Sequence, residues 1–370
     1  MSQNLSNYAV LVFGAGKVGE TIAHLLHHSG DYHVILADKD AAALERVKKR
    51  LPLETVQLDA SDPVALKTVL ARVKAVISAG PYFVNMGIAQ AALETGVNYF
   101  DLTEDRETTA AVRGFADRAK SGQVFVPQCG LAPGFIGVLA AHLAQGFDKI
   151  HEIKMRVGAL PKFPSNMLMY NLTWSTDGII NEYINPAEAI LGGKLTEVQS
   201  LEGLEEFSLD GITYEAFNTS GGLGTLCETL EGQVQKLDYK SVRYPGHRYL
   251  MQFLLRDLRL AERRELVKEI LENALPITPQ DVVLTFCTVS GERNGRFTQI
   301  SDARKIYDLE VYGEHWSAIQ LTTAASVCAV LDLHRFGTLP QHGFVRQEQI
   351  PLEPFLDNRF GRYYVSKELL

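Results

Sequence analysis

Residues 8–40 read YAVLVFGAGKVGETIAHLLHHSGDYHVILADKD: an apolar strand, a glycine-rich turn, an amphipathic helix and a second strand closing on Asp38. A glycine triplet alone is weak evidence in a chain of this length; its place between a strand and a helix gives it weight. In the loop Gly14-Ala15-Gly16-Lys17-Val18-Gly19, the first glycine permits the tight turn and the second lets backbone approach a pyrophosphate. The third lets the helix pack closely on the sheet. Free N–H groups and the positive dipole end of that helix favour the anion. Asp38 follows Gly19 by 19 residues, near the spacing of a carboxylate that hydrogen-bonds an adenosine ribose. The same carboxylate would repel a 2′-phosphate, which Lys39 offsets only in part, so the expected cofactor is NAD rather than NADP.

Outward from this opening, short apolar runs alternate with helix-like segments: YAVLVF, HVILAD, TVQLD, AVISA, NYFDL and QVFVP. That alternation predicts an α/β fold, a Rossmann-type doubly wound parallel sheet. After about Gly134 the pattern changes. IHEIKMRVGAL, FSLDGITYEAF and DVVLTFCTVSGER suggest longer strands of a more antiparallel kind, and RRELVKEILENAL a helix between them, giving a second, α+β domain. SAIQLTTAASVCAVLDLHRFG reads as one long helix. The expected division is residues 1–133 for NAD, 134–316 for substrate and dimerisation, and 317–370 returning to the first domain.

The 370 residues are 46% hydrophobic and 22% charged, with a net charge of −8. A globular protein fits, and with no Lys/Arg cluster nucleic acid is not an expected partner. MSQNLSN lacks the basic start and apolar core of a signal peptide, and no apolar run reaches membrane-spanning length. The expected compartment is the cytoplasm, with no membrane partner. Cys129, Cys227, Cys287 and Cys328 are widely separated and form no metal-ligand spacing, so reduced thiols and no metal are expected.

Ligands of an open parallel sheet bind beyond the carboxyl ends of its strands, which selects four places. Asp59, with Ala60 beside it, is open to two readings: an acceptor for the adenine amino group, or a plain helix cap. Gly80 and Pro81 would let the chain pass close to the nicotinamide ribose. Tyr82 would project towards the reacting carbon or pack as an aromatic with a wet hydroxyl. Asp101 is a candidate for proton relay or a cap of the next turn. Cys129 and Gly130 would line the nicotinamide pocket, although a buried free cysteine is usually a small hydrophobe.

At Cys129 the chain continues CGLAPGFIGVLAAHLA. This segment is similar to the G-L-x-P-G turn that follows the last Rossmann strand in the saccharopine dehydrogenase family. The resemblance covers most of the chain, through GPY at 80–82, YFDLTED at 99–105, VGALP at 157–161, TWSTDGIINEY at 173–183 and RYPGH at 243–247. Within the family the chain looks most like the lysine 6-dehydrogenases. Ala132 stands where saccharopine reductases commonly carry Asp, and carboxynorspermidine and carboxyspermidine dehydrogenases are close competitors.

The resemblance implies NAD-dependent hydride transfer at a carbon bearing nitrogen, on a small amino acid of lysine type, by a homodimer. Tyr82 and Asp101 are the candidates for handling the proton. Arg243 is the candidate for the substrate carboxylate, because guanidinium binds carboxylate bidentately. His247 would hold the α-amino group or a water, Glu182 an ammonium, and Trp174 the alkyl chain. TWSTDGIINEY reads equally as an amphipathic helix packed on the sheet. A different reading is a regulator that binds NAD without turnover.

Overall fold

A computed structural model describes residues 8–365. By internal contacts the chain forms two compact units: the described residues up to Phe135 with Gln320–Tyr363, and Ile136–Ile319 with Tyr364 onward.

The first unit alternates β1 (Tyr8–Phe13), α1 (Lys17–His28), β2 (Tyr32–Asp38), α2 (Ala41–Lys48), β3 (Glu54–Gln57), α3 (Pro63–Leu70), β4 (Ala75–Ser78), α4 (Tyr82–Thr95), β5 (Asn98–Asp101), α5 (Arg106–Ala116) and β6 (Val124–Val126). Val10–Phe13 and Ala75–Ser78 are buried throughout, the mark of strands covered on both faces. The sheet runs β6-β5-β4-β1-β2-β3, every pair parallel, and a short strand at Gly343–Phe344 extends it beside β6. The direction of winding reverses between β1 and β4, so a crevice for a ligand opens at their carboxyl ends.

The second unit contains α6 (Phe135–Ala144, its first residue excepted), β7 (Lys149–Pro161), α7 (Thr176–Ile184), β8 (Ala187–Leu191), β9 (Lys194–Val198), β10 (Glu205–Leu209), β11 (Ile212–Asn218), α8 (Leu226–Leu230), β12 (Val234–Arg243), α9 (His247–Gln252), α10 (Arg264–Ala274), β13 (Asp281–Arg293) and β14 (Arg296–Tyr307). Its sheet is mixed, β10-β11-β12-β7-β13-β14, with β8 beside β12 and β9 beside β8. Residues alternate faces along β12. Asp238 and Lys240 point to the side of Arg156, whose guanidinium pairs with Asp238 at 2.6 Å and with Glu205. Tyr239, Ser241 and Arg243 point to the other side, towards Tyr183 of α7.

Helix α11 (Ala318–Arg335) spans the long run of small residues. Breaks expected after Pro133 and Trp316 shift by two or three residues because the unit limits fall inside α6 and α11, and a continuous helix carries each crossing. Among the described residues no helix is long and apolar enough to cross a membrane.

The C-terminal segment is fastened to the first unit by Asp332, which is 3% exposed. Its carboxylate accepts from the Tyr32 hydroxyl at 2.6 Å, Arg359 Nη2 at 2.8 Å and Asn358 Nδ2 at 2.8 Å. Burial and the Asp332 charge push the Tyr32 phenol upward, so it remains a donor. Removing one partner leaves a buried carboxylate under-compensated. Arg359→Ala is expected to cost about 2–4 kcal/mol of unfolding free energy, read by denaturant titration. An unchanged midpoint would show the fastening to be dispensable.

Candidate functional site

The glycine loop can be tested for room. A Cβ on Gly19 would lie 1.8 Å from the Gly14 carbonyl oxygen, and Gly14 itself has φ +108° with the Ala79 carbonyl 2.8 Å from any added Cβ. A Cβ on Gly16 would meet nothing within 4 Å. Two glycines are therefore required by contact with the protein, and the third faces open space. Gly16 also begins α1 with no side-chain cap, leaving the first N–H groups of a 12-residue helix available to an anion. These residues fit a dinucleotide pyrophosphate.

Asp38, half-buried, accepts from Ala15 N at 2.6 Å and from Asp40 N at 2.9 Å. Its carboxylate is thereby fixed against the loop, while Lys39, like Lys17, is exposed. Arg46, which the sequence pattern did not single out, donates to Ala15 O at 2.8 Å; an arginine one helix away carries no local signal for such a contact. Asp59 needs a correction in its capping reading. Asp62 caps α3, accepting from Val64 N and Ala65 N, because Pro63 is the first residue of the helix. Asp59 instead accepts from Ser61 N at 2.8 Å in a turn beside half-buried Ala60.

At the carboxyl end of β4, Gly80 lies where a Cβ would press on Val84 and Phe13 at 3.1 and 3.3 Å. Pro81 starts α4 without a capping side chain. Tyr82 is 37% exposed with its ring edge-on to Phe83. Of the two readings of Asp101, proton relay or cap of the next turn, the contacts seen are those of the cap. Asp101 is fully buried, and its carboxylate accepts from the Tyr99 hydroxyl (2.8 Å), Thr103 N (3.0 Å) and Gln128 N (2.9 Å). It ties the loop leaving β5 to the loop leaving β6, a positioning role. Cys129 departs from a pocket-lining role. Its thiol is fully buried, donates to Val126 O at 3.0 Å and receives Gln347 Nε2 at 3.4 Å; burial pushes its pKa up. Gly130 is buried too, its carbonyl accepting from Phe135 N at 3.0 Å across the Ala132–Pro133 turn.

Glu104 was missed by the strand-end rule because it lies three residues beyond β5. It is half-buried, and burial and then the neighbouring Asp105 and Asp101 charges raise its pKa.

In the second unit a polar group stands on the α7 face of the sheet. Arg243 is 3% exposed; its Nε donates to the Tyr183 hydroxyl at 2.9 Å and its Nη1 to Val242 O at 2.8 Å. The guanidinium stacks over the rings of Tyr170 (5.2 Å) and Tyr183 (5.8 Å). Among the described residues no carboxylate stands within ion-pair distance of it, and Nη2 makes no hydrogen bond. Tyr183 in turn meets His247 Nε2 at 3.0 Å, and His247 Nδ1 meets Leu168 O at 2.9 Å. The carbonyl fixes the proton on Nδ1, so Nε2 accepts from Tyr183, whose oxygen is left to accept from Arg243.

Both His247 nitrogens are thus committed, which corrects its expected hold on a substrate amine. Burial and the Arg243 charge bring its pKa down to about 3, so the ring is neutral. Trp174 lies over the first turn of α7, where a Cβ on Gly178 would be 2.3 Å from the indole; packing on the helix occupies that face. Glu182 is buried, and its charge is felt by Arg243, Tyr170, Tyr183 and Tyr239. Tyr170 and Thr173, absent from the expected set, bury hydroxyls that make no hydrogen bond. Only the pairing of β12 with α7 reveals them.

Residues 10–126 match the family model described as "Saccharopine dehydrogenase NADP binding domain" and residues 130–359 the one described as "Saccharopine dehydrogenase C-terminal domain". The chain belongs to the saccharopine dehydrogenase family. One family relative, the NADP-dependent, L-glutamate-forming saccharopine dehydrogenase of Saccharomyces cerevisiae, is 28% identical over 200 residues, 52% of this chain and 44% of that protein. Carboxynorspermidine synthase of Vibrio cholerae is 28% identical over 172 residues, 39% of this chain and 42% of that protein. The matches thus span less than half the length of these relatives. The solved apo saccharopine dehydrogenase of Saccharomyces cerevisiae shares the fold, with a TM-score of 0.77 at 17% identity over 98% of this chain and 97% of that one.

In this family member, burial lifts the Asp101 pKa to about 6 against its three hydrogen bonds. The folded protein therefore holds a proton that the unfolded chain releases near pH 3.8. The stability tied to this group is full below that value and is lost as pH rises through about 6, on the order of 3 kcal/mol. Asp101→Asn keeps an acceptor for both N–H groups and cannot ionise. Its stability relative to wild type should improve by about that amount between roughly pH 4 and pH 7, in urea titrations at each pH. Parallel curves for the two proteins would refute the assignment.

Proposed function

We propose that this chain is an NAD-dependent oxidoreductase that acts on the C–N bond of a lysine-type amino acid, removing the ε-amine oxidatively. The observation that carries the reading is Arg243, a buried guanidinium whose hydrogen bonds go to neutral groups, with the Glu182 charge acting on it from nearby. Burying a guanidinium with no anion hydrogen-bonded to it is costly, and a substrate carboxylate on the Nη2 edge would pair with it directly. The Tyr183–His247 pair holds the guanidinium plane in place, and the rings of Tyr170 and Tyr183 give it faces to stack on. The buried hydroxyls of Tyr170 and Thr173, which lie beside each other, are further donors for a carboxylate.

The nucleotide unit supports the other half of the chemistry. Nicotinamide, when bound, supplies the acceptor for a hydride. The protein's own work is to seat the pyrophosphate on α1, hold the ribose through Asp38, and take the proton of the substrate amine. Asp38 favours NAD because an ionised carboxylate at the ribose repels a 2′-phosphate, although the matched family model carries NADP in its description. Ala132 in the Gly130–Gly134 turn favours a lysine-type substrate over saccharopine.

The test mixes the protein with NAD or NADP and, separately, L-lysine, saccharopine or carboxynorspermidine, following reduced-nicotinamide absorbance at alkaline pH. Lysine-dependent reduction of NAD is expected. A signal with saccharopine or carboxynorspermidine alone would move the assignment to those substrates, and nucleotide binding without any turnover would favour a regulator. Arg243→Lys replaces a planar fork by a point charge and should raise KM for the amino acid about tenfold or more, with a smaller effect on kcat. A wild-type KM would exclude a direct carboxylate contact.

A further inference from the structure

We propose that Arg46 is a positioning residue for the dinucleotide: its guanidinium locks the peptide between Ala15 and Gly16 so that the Gly16 N–H, and not the Ala15 carbonyl, meets the pyrophosphate. The inference rests on the nucleotide seat proposed above and not on the amine chemistry.

The glycine loop is held one peptide at a time. Gly14 N donates to Ala37 O at 2.7 Å, which ties the first peptide to β2. Ala15 N donates to Asp38 Oδ2 at 2.6 Å, which holds the second. Gly16 O accepts from Glu20 N at 2.9 Å and is fixed by α1. The peptide joining Ala15 to Gly16 lies between these ties. Among the described residues its one hold is Arg46 Nη2, which donates to Ala15 O at 2.8 Å. Arg46 reaches it from α2, 31 residues along the chain, with its side chain half exposed.

In a planar trans peptide the C=O and N–H point in opposite directions. A carbonyl turned to Arg46 therefore turns the Gly16 N–H away from it, and that N–H has no acceptor among the described residues. The hold matters because this peptide is free to flip. Rotating a peptide plane changes ψ of the residue before it and φ of the residue after it together. Gly16 has φ −76°, and a glycine passes to positive φ at no steric cost. The flipped loop would face a phosphate with a carbonyl oxygen, two negative groups together. The glycine that lets backbone approach a pyrophosphate thus brings a freedom that Arg46 removes.

Arg46 has a second contact. Glu20 Oε2, in the first turn of α1, lies 3.8 Å from Nη2, and the other Glu20 oxygen pairs with Arg50 Nη1 at 2.6 Å. Offsetting Glu20 also favours an anion at this helix start, so locking and charge compensation must be separated.

Dissociation constants for NAD, NADP, ADP-ribose and adenosine are measured for wild type, Arg46→Leu, Arg46→Lys, Glu20→Gln and the double variant Glu20→Gln/Arg46→Leu. Arg46→Leu should weaken the three pyrophosphate-bearing ligands about tenfold, through a lost hydrogen bond that selects the competent loop, and leave adenosine within about twofold. Arg46→Lys, which keeps a donor without the planar fork, should recover part of that affinity. The same loss should separate Glu20→Gln from the double variant, where no acid remains for the arginine to offset. A crystal structure of nucleotide-free Arg46→Leu should show the Ala15 carbonyl in a second orientation with Gly16 at positive φ.

Wild-type affinity for ADP-ribose in Arg46→Leu would overturn the proposal, and so would an equal loss for adenosine, which would make Arg46 a prop of the adenosine side. A loss that vanishes in the Glu20→Gln background would reduce Arg46 to a counter-charge, and a single unflipped peptide in the variant's structure would remove the lock. If wild type binds none of the pyrophosphate-bearing ligands, the nucleotide seat falls and the lock with it. Amine turnover enters none of these readouts, so the C–N reading can fail while the lock holds.

Discussion

The contact between Gly19 and the Gly14 carbonyl is the constraint from which the nucleotide unit is built. With 1.8 Å between that oxygen and the nearest position for a Cβ, no side chain at residue 19 is compatible with the observed approach of α1 to β1. The close approach brings the first turn of α1 to the strand end, leaves Gly16 facing open space, and puts Ala15 N where Asp38 can accept from it. The helix position, the open first turn at Gly16 and the placing of Asp38 are consequences of one missing methyl group.

Charge is handled in opposite ways on the two faces of the second sheet. Arg156, on one face, is closed off by Asp238 and Glu205, and although burial opposes it, Arg156 and Lys240 pull Glu205 down to about 2. Arg243, at the end of β12 on the other face, is equally buried but has a phenol and a backbone carbonyl for partners. A balanced buried network contributes to the architecture of a sheet. Arg243 has no carboxylate hydrogen-bonded to it, and the Glu182 charge reaches it only at longer range.

The strands and helices of the first unit were legible because each carries its own periodicity, and β1 through β6 fall on the apolar runs that announce them. Contacts between distant segments were less so. Asp62 rather than Asp59 caps α3 because a proline fixes where the helix starts, a local signal that was present in the SDP tripeptide. Asp101 ends a strand, as a catalytic carboxylate often does, yet its bonds go to backbone that sequence spacing does not bring near. Tyr170 lacks any pattern of its own, and Thr173, though it opens the TWSTDGIINEY motif, carries no sign of its place beside that ring. The family motifs marked segments, whereas what each side chain touches depends on which face of α7 meets the sheet.

The second unit is inserted within the sequence of the first, which closes only with Gln320–Tyr363. During synthesis the ribosome therefore completes Ile136–Ile319 while the parallel sheet still lacks its outer strand at Gly343–Phe344 and the arginine that holds Asp332. Domains tend to fold as units while the chain emerges, so the inserted unit can be finished first although the nucleotide unit was begun first. Until Gly343–Phe344 is made, the edge of β6 stays unpaired, and an unpaired edge invites wrong partners. A sheet whose outer strand comes from so late a segment is completed only after the inserted unit, and a nascent chain stalled before residue 343 is a candidate for chaperone capture.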